Sequence, residues 1–586
     1  MMLTDWEGIW MEKWFVAMKK ADFNGIAEKY QISPIIARLM RNRDVIGDEA
    51  IDFYLNGTVE DLYDGLLMKD MDRAVDILKE KIEEGKKIRV IGDYDIDGVN
   101  ATYILQQGLA GLGADVDTDI PDRIKDGYGL NQMLIDRALE DDVDTIITCD
   151  NGIAAMSEIA YGKENGMTIV VTDHHEVPYL EENGEKKYLL PPADAVVDPH
   201  RADCEYPFKG LCGAAVAYKL VEVLYRVSGK SEQEAEHLQE RLMENVAIAT
   251  IGDVMDLVGE NRVFVKKGLE LLKTTKNEGL HALMQCTGVD TANLNTYHIG
   301  FVIGPCINAG GRLDTAKRAL ELLNASNRRE AVTLAADLKE LNDSRKEMTE
   351  EGVEEAVRQI ESSSWKDDQV LVVYLPECHE SIAGIIAGRI KERYYRPTFV
   401  LTKGETGVKG SGRSIESYSM YEKLCECKEY LTKFGGHPMA AGLSLEEENV
   451  ERFRRKLNEQ SGLTEEDLVE KVTIDVPMPI HYIRKDLVQE LSLLEPFGKG
   501  NEKPLFAQKN LWVSQMRVFG KNRNVVKMRL TDENGYPMDG VYFGNGDEFA
   551  EEGRGKRKIS IVYYPDINMY QGRESLQVII RHYQFD

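Results

Sequence analysis

Residues Arg89–Thr102 read RVIGDYDIDGVNAT: an apolar run closes on Val90 and Ile91, and Asp93, Asp95 and Asp97 follow within a few residues. An apolar run of this length that ends in a turn reads as a short buried strand, and Gly92 and Gly98 allow the backbone to bend sharply around the acids. Like charges crowded at one strand end raise one another's pKa unless positive charge sits among them, and a divalent cation is the usual remedy. Taken alone, the stretch could equally be a solvated acidic turn.

Its surroundings argue otherwise. Upstream, Met71–Lys87 has apolar residues at helical spacing with Gly85 as a stop, and downstream Ala101–Gly113 reads as a helix. The pattern then repeats: DTIITCD ends on Asp150, MTIVVTD on Asp173 and ADAVVD on Asp198. Four β-like runs, with helical segments between several of them, each finish on an acid. This alternation predicts a mostly parallel sheet, whose ligands bind at the carboxyl ends of its strands. An N-cap role explains any one of these acids. It does not explain all of them, one of which is followed by His174 and His175. Neutral imidazole beside several carboxylates makes a mixed nitrogen and oxygen site, which suits manganese or magnesium. Adjacent residues on an extended chain point to opposite sides, so one histidine is expected to ligate metal and the other to meet substrate.

The chain of 586 residues is too long for one core and predicts roughly three or four domains. A net charge of −29 argues against a protein that coats nucleic acid or anionic membrane by bulk electrostatics, so a polyanion must meet local cations or metal. The first residues, MMLTDWEGIWMEKW, have no basic stretch before a long apolar core, so no secretory signal is expected, and no run is long enough to span a bilayer. A soluble, cytoplasmic protein is the expectation, with no membrane partner. The eight cysteines include no CxxC pair and read as reduced thiols.

Further along, Gly304–Ala316, GPCINAGGRLDTA, reads as a Gly-rich loop lining a cleft, and Ala325–Ser362 as a polar linking helix. QVLVVYLP, from Gln369, opens a second α/β unit. His379-Glu380 lacks the second histidine of a zinc protease, since Ala383 stands in its place. KGSGRS, with Ser411 and Arg413, and Gly435-Gly436-His437 suggest glycine loops that bring backbone N–H groups to an anion, without the lysine of a P-loop. Beyond Thr464 short alternating runs predict a small β-barrel. There Arg517, Lys521, Arg523, Lys527 and Arg529 lie close to Phe519, a mixture of cations and aromatics suited to single strands.

GDYDIDG, TCDNGI, VTDHHE and VVDPH, in that order, resemble the successive motifs of the DHH phosphoesterase superfamily. The chain as a whole resembles the RecJ branch of that superfamily, the single-strand-specific exonucleases, over nearly its full length. The resemblance implies an α/β fold: a DHH domain with a mostly parallel sheet and a DHH-associated domain, joined by a long helix, plus a C-terminal OB-type β-barrel. The expected boundaries are 1–70 for an N-terminal helical segment, 71–323, 324–362 for the connecting helix, 363–462 and 463–586. It implies that Asp95, Asp97, Asp150, His174 and Asp253, the last in NVAIATIGDVMDL, hold two Mn2+ or Mg2+ ions. It implies catalytic roles for His175, Asp93 and Asp173, with His175 binding or protonating the scissile phosphate. Substrate would be held by Asn308, Arg312, His379, Ser411, Arg413, Gly435, Gly436, His437 and Arg523. Two positions depart from the family pattern: Ile91 stands where some relatives have a histidine ligand, and Cys306 where an arginine is common.

The implied activity is 5′-to-3′ release of 5′-mononucleotides from single-stranded DNA in repair and recombination. Single-strand-binding protein and recombination helicases are the implied partners, and a monomer is the default. The rivals are a related phosphodiesterase for short oligoribonucleotides or cyclic dinucleotides, which would not need the C-terminal barrel, and a non-catalytic nucleic-acid scaffold. Polarity rests on the resemblance alone.

Overall fold

Strand runs whose residues are apolar on both faces form the interior of a five-stranded, all-parallel sheet. Its order is Asp115–Asp119, Lys87–Ile91, Thr145–Cys149, Thr168–Thr172, Ala195–Val197. This computed structural model describes residues 12–586 without 124–126, 128, 183 and 405–406, so the first eleven residues of the N-terminal reading lie outside it. Because the chain runs from the central strand Lys87–Ile91 outward to Asp115–Asp119 and back to Thr145–Cys149, the order reverses between the first and third strands. The loops after those two strands, carrying Asp93–Asp97 and Asp150, therefore open at the switch point where such sheets bind ligands.

The strand Asp115–Asp119 corrects the expected four runs to five. Its sequence, DVDTD, alternates acids on a sheet edge, so it shows no apolar run, and Arg89 at 2.7 Å from Asp117 offsets one of its charges. The helix after the first acidic loop starts at Ile96, five residues before the expected Ala101, because Asp95 caps it by accepting from the N–H groups of Asp97 and Gly98. Helices Gly213–Val227 and Glu232–Gly252 pack beside it over the sheet.

The linking segment is one helix, Arg328–Glu361, about 50 Å long at 1.5 Å per residue. The second α/β unit has a sheet ordered Leu431–His437, Ala440–Leu445, Val408–Arg413, Thr398–Lys403, Leu371–Tyr374, parallel only in its last pair. In the C-terminal unit the strands Phe506–Phe519, Val525–Thr531, Pro537–Phe543, Arg573–Phe585 and Lys558–Tyr570 pair successively, and the last also pairs with the first.

Three other expectations change. The N-terminal segment is not purely helical: Glu12–Val16 is a strand paired in parallel with Glu470–Ile474, and Ile36, Leu39 and Met40 of the helix Pro34–Asn42 share a core with Ile480 and Leu491. The Gly-rich segment is not a loop. It is the helix Gly304–Leu313, preceded by a π-turn, Ile299–Ile303, and its glycines serve close approach: a Cβ on Gly311 would stand 2.3 Å from the Tyr94 carbonyl oxygen. KGSGR and GGH likewise lie on strands, Val408–Arg413 and Leu431–His437, because Gly410 and Gly412 give way to Leu401 and Phe399 packed beneath them.

Candidate metal centre and substrate cleft

Six acids and two histidines converge where the switch-point loops meet the end of the helix Glu232–Gly252. Asp97 is fully buried and accepts from Gly213 N (2.6 Å) and Ala214 N (2.8 Å), the first amides of the helix Gly213–Val227. That positive helix end holds a carboxylate that burial otherwise pushes toward the neutral form. Asp150 follows its strand in the left-handed region, φ 58°. Its Oδ1 lies 3.0 Å from His174 Nε2, which is also 3.5 Å from Asp97 Oδ2 and 3.9 Å from Asp253 Oδ2. Asp253 ends the helix Glu232–Gly252 as its C-cap.

Burial and then the Asp95 charge push Asp93 up to about 8; burial and then Asp97 do the same for Asp253. Asp150 is raised strongly by burial and by the surrounding aspartates. Asp93 Oδ2 is buried with no hydrogen-bond partner among the described residues. Three overlapping sets bring their ligand atoms within 4.8 Å of one another: Asp150, His174 and His175; Asp97, His174 and Asp253; and Asp93, Asp95 and Asp150. A buried cluster of mutually repelling carboxylates, one with an orphaned oxygen, joined by imidazole, fits divalent cations in oxygen-rich coordination.

Asp173 is not placed with these ligands. Its Oδ2 accepts from Ile153 N (2.9 Å), and its Oδ1 accepts from His174 N (2.8 Å) and lies 2.7 Å from His175 Nδ1. Burial would raise its pKa, but the bond from His175 and the two histidine charges outweigh that and hold it down. Burial lowers His175 less than Asp173 and the other acids raise it, so it is pushed up to about 9. Asp198, the fourth strand-end acid, supports from behind, accepting from His200 N at 2.7 Å.

A cleft of about 460 Å³ opens between the two α/β units, lined in part by Tyr94 of the acidic loop and by Arg123, Ser411 and Gly435. Arg123 stacks over the Tyr94 ring at 5.1 Å. Arg312 donates to the Ser381 carbonyl (3.0 Å) across the cleft, and burial followed by the charges of Arg123 and Arg345 pushes it down to about 10. Arg413 lies over the start of the helix Ala383–Tyr394, where Gly384 leaves it room: a Cβ there would be 2.9 Å from Arg413 Nη2. Asn308 accepts from Ile96 N at 2.9 Å and so braces the acidic loop from the helix Gly304–Leu313.

The other residues expected to hold substrate have the following places. Gly436 stands at φ 142°, where a Cβ would meet the Ala440 carbonyl oxygen at 2.5 Å, and His437 is exposed at the strand end. His379 caps the short helix before Ala383 and lines a separate hollow with Met348 and Cys378. Arg523 forms a two-pronged pair with Asp547 on the barrel surface, while Arg517, Phe519, Lys527 and Arg529 line one barrel groove. Arg123 lines the cleft and Arg345 stands near enough to bear on Arg312; neither was assigned a role there from sequence. Arg345 sits one helical turn beyond Asn342, which contacts Cys306 Sγ at 3.4 Å, so it supplies charge close to Cys306.

The chain matches three family models: the DHH family, N-terminal domain, over residues 87–250; the DHHA1 domain over 367–462; and the RecJ OB domain over 474–582. It is 34% identical to the single-stranded-DNA-specific exonuclease RecJ of Salmonella typhimurium, over 94% of this chain and 95% of that protein. The chain belongs to the RecJ family. To RecJ of Bacillus subtilis it is 36% identical over 95% of this chain and 68% of that one. The crystal structure of RecJ from Thermus thermophilus in complex with Mn2+ aligns with a TM-score of 0.82 and 28% identity, covering 98% of this chain and 80% of that one. A second structure of that RecJ, in complex with Mg2+, aligns at 0.76 with 26% identity and covers 98% and 78% of the two chains. The RecJ family thus shares this acidic centre's fold, and its solved members hold the two ions that suit the donor set. No helix among the described residues is long and apolar enough to cross a membrane.

Proposed function

We propose that this RecJ-family hydrolase is a metal-dependent exodeoxyribonuclease that removes 5′-mononucleotides from single-stranded DNA in the 5′-to-3′ direction. The observation that carries the proposal is that the loop bearing Asp93, Asp95 and Asp97 also lines, through Tyr94, a cleft that Arg312 bridges to Ser381 and that Ser411 walls on the far side. A terminal phosphate fits the cations, and the next phosphodiester then falls toward the acids. The relatives are named single-stranded-DNA-specific exonucleases, which supports the same substrate.

Asp95, Asp97, Asp150, His174 and Asp253 would hold two divalent ions, with Asp93 completing the cluster through its orphaned oxygen. When bound, such ions supply Lewis acidity and lower the pKa of water. The chain's own contribution is positioning and proton control. Asp173 holds His175 Nδ1 and so sets the orientation of the ring; a histidine kept protonated there would donate to a phosphoryl oxygen or to the leaving 3′-oxygen. Helix amides fix Asp97, and Asn308 fixes the backbone of the acidic loop, so the ligands are set before substrate arrives.

The test uses Mn2+ and single strands labelled at the 5′ or the 3′ end, with an RNA dinucleotide alongside. Early release of 5′-labelled mononucleotide, with the 3′ label retained on long fragments, is expected, and chelator is expected to abolish it. Asp150→Ala should abolish cleavage while sparing most strand binding. Cleavage of the dinucleotide alone would overturn the long-strand reading.

A further inference from the structure

Beside the acidic centre the π-turn Ile299–Ile303 lies against the last turn of the helix that ends at Asp253. A Cβ added at Gly300 would stand 3.6 Å from Ile251 Cγ2, two residues before Asp253. A Cβ added at Gly304 would stand 3.1 Å from Ile96 Cδ1, and Ile96 stands between Asp95 and Asp97. A π-turn inserts one extra residue into the helical register and re-aims the side chains around it. Here Phe301 is 68% exposed, and Tyr297, 61% exposed, stacks on it with ring centroids 5.2 Å apart and an interplanar angle of 25°. Val254, directly after Asp253, is 59% exposed at φ 57°, an uncommon conformation for a β-branched residue. Large apolar side chains turned to solvent together beside a catalytic cluster mark a binding surface.

We propose that Tyr297 and Phe301 form a base-stacking platform on which unpaired nucleobases of the substrate strand rest beside the metal centre. The inference rests on the exonuclease reading and adds the part of the strand it leaves unheld. Residues 296–303, TYHIGFVI, carry no lysine or arginine, so this segment itself offers a nucleic acid π-faces rather than cations. Its continuity with the helix turn bearing Asp253 and with Ile96 places it within the reach of a strand whose phosphate is at the acids. Bases inside a duplex are stacked on each other and cannot use the platform, which adds to the preference for single strands. In a chain of net charge −29, stacking supplies grip without a bulk electrostatic attraction.

The experiment compares fluorescein-labelled 20-mers of deoxyadenosine with 20-mers of tetrahydrofuran abasic units of equal charge. Binding is followed by anisotropy and degradation by KM and kcat, for wild type, Tyr297→Ala, Phe301→Ala and Phe301→Trp. The expected result is that each alanine variant raises Kd and KM for the base-bearing strand about 5- to 10-fold, in line with one stacking contact, and leaves Kd for the abasic strand unchanged. Phe301→Trp should restore the wild-type values. Equal weakening toward both strands, or no change toward either while wild type degrades the deoxyadenosine strand, would overturn the platform alone. Failure of the wild type to degrade any single strand would overturn the exonuclease reading and the platform with it.

Discussion

Asp93 and Asp253, each pushed up to about 8, hold protons at neutral pH that bound cations must displace. Mn2+ binding is therefore expected to release about one proton or more near pH 7 and to tighten as pH rises toward 8. Calorimetric titration in two buffers of different ionisation enthalpy measures this release, and identical apparent enthalpies in both would refute it. The same shifts govern stability without metal. A carboxylate whose folded pKa is raised favours folding at acid pH and loses that contribution as pH climbs from about 4 toward 8. His175, also raised, stabilises fully below about 6.5 and loses its contribution as pH passes through about 9. Both trends point to a metal-free protein that weakens as the solution becomes alkaline, a loss that metal should offset. Asp173→Asn removes the carboxylate that faces His175 Nδ1 at 2.7 Å, so the histidine pKa should fall toward its ordinary value, as followed by NMR in metal-free protein. Its kcat should drop by about 10²-fold or more, the usual worth of a positioned general acid.

At the scale of elements, the centre depends on one helix start. Gly213 abuts Asp150 so closely that a Cβ would stand 2.7 Å from the Asp150 Cβ, and its amide holds Asp97 at 2.6 Å. Gly213→Ala should push the helix Gly213–Val227 away from both acids. Expected are a loss of about 1–3 kcal/mol in stability, as overpacking costs, and weaker Mn2+ binding, read by denaturant titration and calorimetry. A variant with unchanged metal affinity would show that the helix amides do not set Asp97. Strands and acids of this unit were legible because burial on both faces leaves an unbroken apolar run that ends at a turn. The strand Asp115–Asp119 was not, since an edge strand of alternating acids lacks that run. The glycines of Gly304–Leu313 and of Val408–Arg413 read as loops because glycine serves both turns and close packing, and only the neighbour that fills the vacated space tells the two apart.

Across the whole molecule, Arg262 joins three units. Only 2% exposed, it donates to the carbonyls of Tyr54, Leu493 and Leu494, each at 2.9 Å, and lies 4.0 Å from the Tyr54 ring centre. The segment just beyond returns to the catalytic unit, where Leu257 N donates to the Lys499 carbonyl (2.8 Å) and Lys499 pairs with Asp256 at 3.3 Å. Arg262→Ala leaves three carbonyls without their donor and should cost about 3–5 kcal/mol, the range for a broken buried charged network. Chemical denaturation should then split into two transitions, the barrel with its N-terminal helices melting first; a single unshifted transition would exclude this junction as the coupling. From residues alone, the apolar runs, their terminal acids and the His-His pair established an α/β sheet with a metal-suited edge, because local periodicity reports which faces are buried and which ends carry charge. Tertiary structure alone decided that Arg123 lines the cleft while Arg345 bears on Arg312, that Arg523 pairs with Asp547, that a strand near the N-terminus pairs with Glu470–Ile474, and that helix amides from Gly213 and Ala214 grip Asp97. Those contacts link positions from tens to hundreds of residues apart, and a pattern that repeats every two or four residues holds no record of which distant segment it will face.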